Sequence, residues 1–362
     1  MIDHQVRLRR IRDALVAAQG DALLISDLPN TRYLTGFSGS NALVLITQRA
    51  CTLLTDFRYE SQVAQECGPG IDVRIEPSSL WAGVWPWLAA DPTVRSVIYD
   101  SGHLSQRDME RCREQGTRWT WRGGNGLVER LRASKEPAEV DAIRAAGRVA
   151  TEALGALLPQ VVPGLSELEV CGLLECELRR AGSEAHPFAA IVASGARSAL
   201  PHARPSNKKL ERGEFLLLDF GATVDGYVSD ITRTFVLGPP SPEQEAHHAL
   251  VARAQRVAID GLRAGMTGKE GDALARGVIE AAGRGAEFGH SLGHGIGLEI
   301  HEDPRLSRLS DQPLPEGAVV TVEPGVYSPG LGGVRIEDDV YLTAGGAALL
   351  TEFPRELLVV GE

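Results

Sequence analysis

Asp219 and Asp230 bracket a segment that reads Asp219-Phe-Gly-Ala-Thr-Val-Asp-Gly-Tyr-Val-Ser-Asp230. Asp225-Gly226 is a strong signal for a two-residue hairpin loop. With that loop Val224 faces Tyr227 and Gly221 faces Asp230. Asp219 then lies diagonally from Asp230 on the same face, roughly 7 Å away between Cα atoms. A three-residue loop would send the two carboxylates to opposite faces, because a one-residue slip inverts every side chain. Carboxylates converging on a hydrophobic hairpin repel each other unless a proton or a cation sits between them. Alone, the pair reads equally well as two solvated acids on an edge hairpin.

Other stretches carry the same kind of chemistry. Gly289-His290-Ser-Leu-Gly293-His294-Gly295-Ile-Gly297-Leu-Glu-Ile-His301 holds three of the chain's nine histidines in twelve residues. The i, i+4 spacing of His290 and His294 suits a metal-binding helix, but four glycines in nine residues oppose a helix interior. A strand or tight loop fits the glycines, and in extended chain the two histidines still share a face. Thr321-Val322-Glu323-Pro324-Gly325 ends an apolar run on a carboxylate. Gly333-Val334-Arg335-Ile336-Glu337-Asp338-Asp339 alternates, so Arg335 and Glu337 share a face. By itself that last stretch also fits a salt-bridged edge strand. Together Asp219, Asp230, His294, Glu323 and Glu337 make an oxygen-rich set with one nitrogen, suited to two divalent ions bridged by carboxylates. Manganese fits such a set first, with zinc and cobalt as alternatives.

The elements that must position these groups follow from hydrophobic periodicity. Val6–Ala18 predicts a helix, Asp21–Ser26 a buried strand, and Asp27-Leu28-Pro29-Asn30 a turn. Strands at 42–47, 51–55, 73–76, 94–100 and 118–121 alternate with helices at 59–66, 80–90 and 104–114, which predicts a small α/β domain. Helical periodicity then runs from Leu127 to Leu158. Ser134-Lys135-Glu136-Pro137 interrupts it, and Pro137 suits the first turn of a new helix. The boundary falls there, giving domains at 1–133 and 134–362. Beyond it, two passes of helices followed by strands (137–181 then 190–236, 242–283 then 295–342) suggest an internal pseudo-twofold.

Composition bounds the partners. The chain has 362 residues, 43% of them hydrophobic and 23% charged, as in ordinary globular proteins. A formal charge of −11 argues against nucleic acid or anionic membrane as the main partner. Five cysteines with no CxxC pair suit a reducing compartment and read as buried small hydrophobes. No signal-peptide pattern or membrane span is visible, so a cytoplasmic location is expected.

The five-part set resembles the "pita-bread" metallopeptidases, the family of methionine aminopeptidase, aminopeptidase P, prolidase and creatinase. The motifs are Leu-Asp219-Phe-Gly, Ser-Asp230-Ile-Thr-Arg-Thr, Gly-His294-Gly-Ile-Gly, Val-Glu323-Pro-Gly and Arg-Ile-Glu337-Asp. His202 in Ser-Ala-Leu-Pro-His, with His290, His301 and Arg335, matches the Xaa-Pro branch. Asn30-Thr-Arg-Tyr-Leu-Thr-Gly-Phe-Ser-Gly and Thr55-Asp-Phe-Arg-Tyr resemble the creatinase-type N-terminal domain more loosely. The resemblance implies an α+β fold: a C-terminal pita-bread domain with a curved, mostly antiparallel sheet covered by helices, after a smaller α/β domain.

It also implies roles. Asp219, Asp230, His294, Glu323 and Glu337 would hold two divalent ions that activate water for attack on the carbonyl of Xaa in an Xaa-Pro bond. Glu323 would shuttle the proton, His290 and His301 would donate to the oxyanion or carbonyl, and His202 would line the proline side. Arg335 would orient Asp230 or Glu337. Two activities compete. The motifs around Tyr33 and Asp56 favour an Xaa-Pro aminopeptidase, whereas a basic clamp from Arg32, Arg49 or Arg58 would suit a dipeptidase. A silent binding module is disfavoured by the intact ligand set. A homodimer is expected, with Arg32-Tyr33 and Asp56-Phe57-Arg58-Tyr59 offered as recognition surface.

Overall fold

The first alternation of strands and helices builds a six-stranded mixed sheet. The computed structural model describes residues 2–361, and the chain divides into two units, Met1–Arg132 and Ala133–Glu362. In the first unit, α1 (His4–Ala17) starts at Asp3, whose carboxylate accepts the Gln5 and Val6 N–H groups. After β1 (Ala22–Ile25), the turn expected at Asp27–Asn30 is instead the opening of α2 (Leu28–Thr35). The same residues serve both purposes: Asp27 accepts the Asn30 N–H at 2.9 Å, and Pro29 sits in the first turn, where no N–H is required.

The unit continues with β2 (Leu43–Thr47), β3 (Cys51–Thr55), α3 (Glu60–Glu66), β4 (Asp72–Ile75), α4 (Leu80–Ala90), β5 (Ser96–Asp100), α5 (Gln106–Gln115), β6 (Thr120–Gly124) and α6 (Glu129–Arg132). The strand order is β4-β3-β2-β1-β5-β6, antiparallel across β1–β2–β3 and parallel elsewhere. One expectation fails here. Tyr33 is 1% exposed beneath the Arg7 guanidinium, 3.9 Å from its ring centroid, so it belongs to the core and offers no recognition surface. Its place on the inner face of α2 explains this. Phe57, by contrast, is 72% exposed.

The second unit opens with α7 (Pro137–Leu157) and α8 (Glu167–Arg180), each begun by a capping box: Glu136 with Glu139, and Ser166 with Glu169. Then come β7 (Ile191–Ser194), β8 (Phe215–Phe220), β9 (Thr223–Val224), β10 (Tyr227–Val228) and β11 (Ile231–Leu237). The second pass holds α9 (Pro242–Gly261), α10 (Gly268–Ala281), β12 (Gly293–Gly295), β13 (Glu302–Leu306), β14 (Val319–Val322), β15 (Gly325–Ser328), β16 (Gly332–Arg335), β17 (Asp338–Thr343), β18 (Gly346–Leu349) and β19 (Val359–Val360).

The expected antiparallel sheet is present as two larger sheets, accompanied by the two-stranded β9–β10 and β15–β16. One is β19-β11-β8-β7, with only the β11–β19 pair parallel; the other is β13-β12-β14-β17-β18. They are stitched where the Glu337 N–H donates to the Thr232 carbonyl at 3.1 Å and the Arg335 N–H to Thr234 Oγ1 at 3.2 Å. Each sheet has its own helix pair. Leu154 and Leu157 of α7 and Leu174 and Leu178 of α8 pack on Leu216, Leu218 and Phe235. Val251 and Ala258 of α9 and Ala275 and Ile279 of α10 pack on Val320, Val322 and Val340. Burying one such leucine stabilises the fold by about 2 kcal/mol, so these two layers fix the strands that carry the site.

Candidate metal centre

The two-residue hairpin loop at Asp225-Gly226 is present. Val224 pairs with Tyr227 and Thr223 with Val228, around Asp225 and Gly226 with φ of 49° and 72°. Both values lie in the left-handed region that a two-residue hairpin loop of this type demands. The same register runs into β8 and β11, where Phe220 faces Ile231 and Asp219 faces Thr232. Asp219 and Asp230 are 8% and 5% exposed. They are buried acids, not solvated ones.

His294 arrives on β12, and the glycines around it are explained by close backbone approach. A Cβ on Gly293 would lie 2.0 Å from the Thr321 carbonyl oxygen, and one on Gly295 would lie 2.3 Å from that of Asp303. The extended chain covers only Gly293–Gly295; His290 and His301 sit in the flanking loops. The His294 Nδ1–H donates to the Gly295 carbonyl at 3.1 Å, which leaves the Nε2 lone pair facing the acids. Nε2 lies 3.8 Å from Asp230 Oδ2 and 3.6 Å from Glu323 Oε1. Ligand atoms of Asp230, His294 and Glu337 all fall within 4.8 Å of one another, and all three residues are buried.

Glu323 follows β14, and Glu337 lies in the step between β16 and β17. Burial, then the charges of Glu337 and Asp219, holds the Asp230 carboxyl well above the usual range. Burial likewise lifts Glu337 and pushes Glu323 up to about 8, with Asp219 contributing to both. Burial depresses His294 and His290 to about 4. Four carboxylates therefore share a desolvated space with a neutral imidazole.

Arg335, 3% exposed, partly offsets that charge. It was expected to orient Asp230 or Glu337, but its Nη2 donates to Asp219 Oδ2, and its Nε donates to Thr232 Oγ1 at 3.1 Å. Glu337 is held by the Thr232 hydroxyl, 2.5 Å away. The Asp219 strand pairs beside Thr232, and this brings Asp219 to the guanidinium first. Oδ1 of Asp219 and Oδ1 of Asp230 remain buried with no hydrogen-bond partner among the described residues. Orphaned, converging carboxylate oxygens beside a free imidazole nitrogen fit divalent cations well.

The remaining predicted residues divide. His290 Nδ1–H donates to the Ser291 carbonyl at 2.8 Å, so its Nε2 accepts from the Tyr327 hydroxyl, also at 2.8 Å. Arg335 Nη1 donates to that same hydroxyl at 2.8 Å. Both His290 nitrogens are thus engaged, and in this arrangement the ring presents no free donor. His301 is exposed and packs edge-on against His294, with ring centroids 4.4 Å apart. His202 is exposed in the loop after Pro201, in the neighbourhood of His290 and His301.

Sequence reasoning missed Tyr327, Thr232 and Thr321. Thr321 Oγ1 accepts the His294 N–H at 3.1 Å and donates to Glu323 at 3.4 Å. A lone tyrosine four residues beyond Glu323 was the available signal for Tyr327.

Residues 141–344 match the model of metallopeptidase family M24, and residues 7–134 match the creatinase/prolidase N-terminal domain. The chain belongs to the M24 metallopeptidase family. It is 36% identical to an Xaa-Pro dipeptidase of Pyrococcus horikoshii, covering 93% of this chain and 94% of that one. The solved Xaa-Pro dipeptidase from Bacillus anthracis superposes with a TM-score of 0.95 at 38% identity, covering 99% of this chain and 100% of that one. The X-Pro aminopeptidase from Thermotoga maritima gives 0.89 at 38% identity, over 98% and 99% of the two chains. The enzyme is accordingly a metallopeptidase of the pita-bread, Xaa-Pro type, and its family implies divalent metal. A second acidic group, Asp100, His103 and Glu129, lies in the N-terminal unit. There Asn30 Nδ2 donates to both carboxylates, at 3.2 and 2.6 Å, which accounts for their approach. No helix among the described residues is long and apolar enough to cross a membrane.

Proposed function

We propose that this enzyme hydrolyses the peptide bond between an N-terminal residue Xaa and proline, and that Asp219, Asp230, His294, Glu323 and Glu337 hold two divalent ions for that reaction. The observation that carries the reading is the gathering of buried acids around His294 Nε2, which faces Asp230 and Glu323 at 3.8 and 3.6 Å, while one oxygen each of Asp219 and Asp230 is left without a partner among the described residues. Manganese is the first ion to test. Bound ions would supply Lewis acidity and make water nucleophilic near neutral pH. The chain's own groups do the rest. Glu323 stands beside His294 and is placed to take a proton from water and pass it on to the departing proline nitrogen. His301 and His202, exposed and without hydrogen bonds among the described residues, are free to donate to the substrate carbonyl and to line the proline side. The imide nitrogen of proline carries no hydrogen, so the site need offer no acceptor for it. Arg335 restrains Asp219, and Thr232 restrains Glu337, in the manner of outer partners that set ligand orientation.

Peptide length is the finer question. The sequence motifs favoured an aminopeptidase, but relatives named dipeptidase support the other reading at least as well, including the Bacillus anthracis structure. We place the dipeptidase first. The Thermotoga maritima aminopeptidase, equally identical, favours the alternative. Hydrolysis rates for Xaa-Pro dipeptides against Xaa-Pro tri- and tetrapeptides decide it: faster turnover of the longer peptides would reverse the order, and no cleavage of any would refute both. A homodimer belongs to the same proposal, and a monomer by sedimentation velocity would remove it.

A further inference from the structure

Glu167 is 0% exposed, although it is charged and lies at the first position of α8. A buried carboxylate needs several donors, and this one has them. Oε1 accepts the Ser194 N–H at 2.9 Å and the Ser194 hydroxyl at 3.1 Å. Oε2 accepts the Ser206 N–H at 3.1 Å and the Ser206 hydroxyl at 2.7 Å. Arg197 Nε donates to both oxygens, at 3.2 and 3.0 Å. Ser194 ends β7, and Ser206 lies where the chain leaves the following loop. One side chain therefore grips both ends of the segment 195–205.

That segment carries His202. It is closed on itself by Arg197 Nη2 donating to the Arg204 carbonyl at 2.6 Å. It is also tied to the metal-centre strand: the Gly333 N–H donates to Ser198 Oγ at 2.9 Å, and Arg335 Nη1 to the Pro201 carbonyl at 3.3 Å. His202 itself makes no hydrogen bond among the described residues. Its position is set by its loop, and Glu167 anchors both ends of that loop. Leaving one of these hydroxyls or N–H groups unmatched would favour alternative loop conformations, because charge-assisted bonds to a buried carboxylate are among the stronger hydrogen bonds and a buried donor without a partner is costly.

We infer that Glu167 is a positioning residue for the proline side of the substrate site, acting through the loop that presents His202. The inference rests on the reading of His202 as a substrate-facing group. Replacing the carboxylate with an amide puts an NH2 group against the donors of one serine anchor and weakens the Arg197 fork, so the segment is held at one end only. Misplacement of a substrate-positioning group by ~1 Å can lower rate by up to about 100-fold.

The test compares Glu167→Gln, His202→Ala and the double variant on an Xaa-Pro dipeptide, with bound manganese measured on each. Ser206→Ala, which removes one donor to Glu167 and the acceptor of the Lys208 N–H, serves where Glu167→Gln fails to fold. Expected for Glu167→Gln are unchanged metal content, a kcat/KM at least about 10-fold lower and faster trypsin cleavage after Arg197. In the His202→Ala background it should cost little further. Equal fold-losses in both backgrounds would overturn the inference, because Glu167 would then act independently of His202. So would a trypsin-resistant loop in a Glu167→Gln enzyme with unaltered kcat/KM. Full activity in His202→Ala would overturn it from the other side, by refuting the His202 reading while the cleavage pattern still reported on the anchor.

Discussion

The molecule gathers acids twice, and it treats the two groups differently. In the N-terminal unit, Asp100 and Glu129 are partly exposed and share an Asn30 donor, with His103 Nε2 3.9 and 3.8 Å away. In the other unit, Asp230 and Glu337 are 5% and 2% exposed, and oxygens of Asp219 and Asp230 are left without a partner. The first cluster is partly exposed and has a donor from the chain in Asn30. The second is arranged at the expense of stability, which makes sense only if something outside the chain completes it.

The largest effect expected from this contrast is on activity. Asp230→Asn or Glu337→Gln should lower kcat/KM by about 100- to 1000-fold, the scale of losing one preorganised electrostatic group. The same changes should raise the melting temperature of the metal-free protein, since each removes a buried charge. A metal-free variant that melts lower than metal-free wild type would break the contrast.

The pH dependence comes next. Asp230, Glu323 and Glu337 all have raised folded-state pKa values, through burial first. Groups raised in this way bind more protons folded than unfolded. The stability they contribute is therefore full below about pH 4 and is lost as pH rises through the folded values, near 8 for Glu323. Metal-free protein should melt progressively lower from about pH 5 to pH 8, and added manganese should reverse that trend by binding the folded state. A flat metal-free profile would place the charges elsewhere.

Tyr327→Phe sharpens the comparison within the catalytic unit. It frees His290 Nε2 and one Arg335 donor without touching a carboxylate. A loss of about 10- to 100-fold in kcat with metal content unchanged is expected, as for outer-sphere partners generally. Loss of metal in step with activity would show that Tyr327 supports the ligands themselves.

The smallest effect belongs to the N-terminal cluster. Burial and Glu129 lift Asp100 to about 6. Its favourable contribution is present below about pH 4 and fades as pH passes 6. Asp100→Asn should flatten that part of the melting profile and leave kcat unaltered; a change in kcat would give this cluster a function that its solvated geometry does not suggest.

How much of this was legible in the sequence depends on range. The Asp225-Gly226 signal set the register of β8 to β11 because the interaction is local, and that register already put Asp219 and Asp230 on one face. Pro137 marked the start of α7 for the same reason. Asp27-Leu28-Pro29-Asn30 misled, because turn and helix-start chemistry use the same residues. Contacts between distant segments were not legible. Arg335 was expected to orient Asp230 or Glu337, whereas its guanidinium reaches Asp219. Tyr33 looked like recognition surface because only tertiary packing reveals that Arg7 covers it.

The measurement that tests the central claim most directly is manganese titration into chelator-stripped enzyme, with Xaa-Pro dipeptide hydrolysis followed at each point. Two ions per chain should bind to wild type, with activity rising in step with occupancy, and Glu337→Gln should show weakened binding in the same titration. Full hydrolysis by stripped enzyme with metal content near zero would contradict the account.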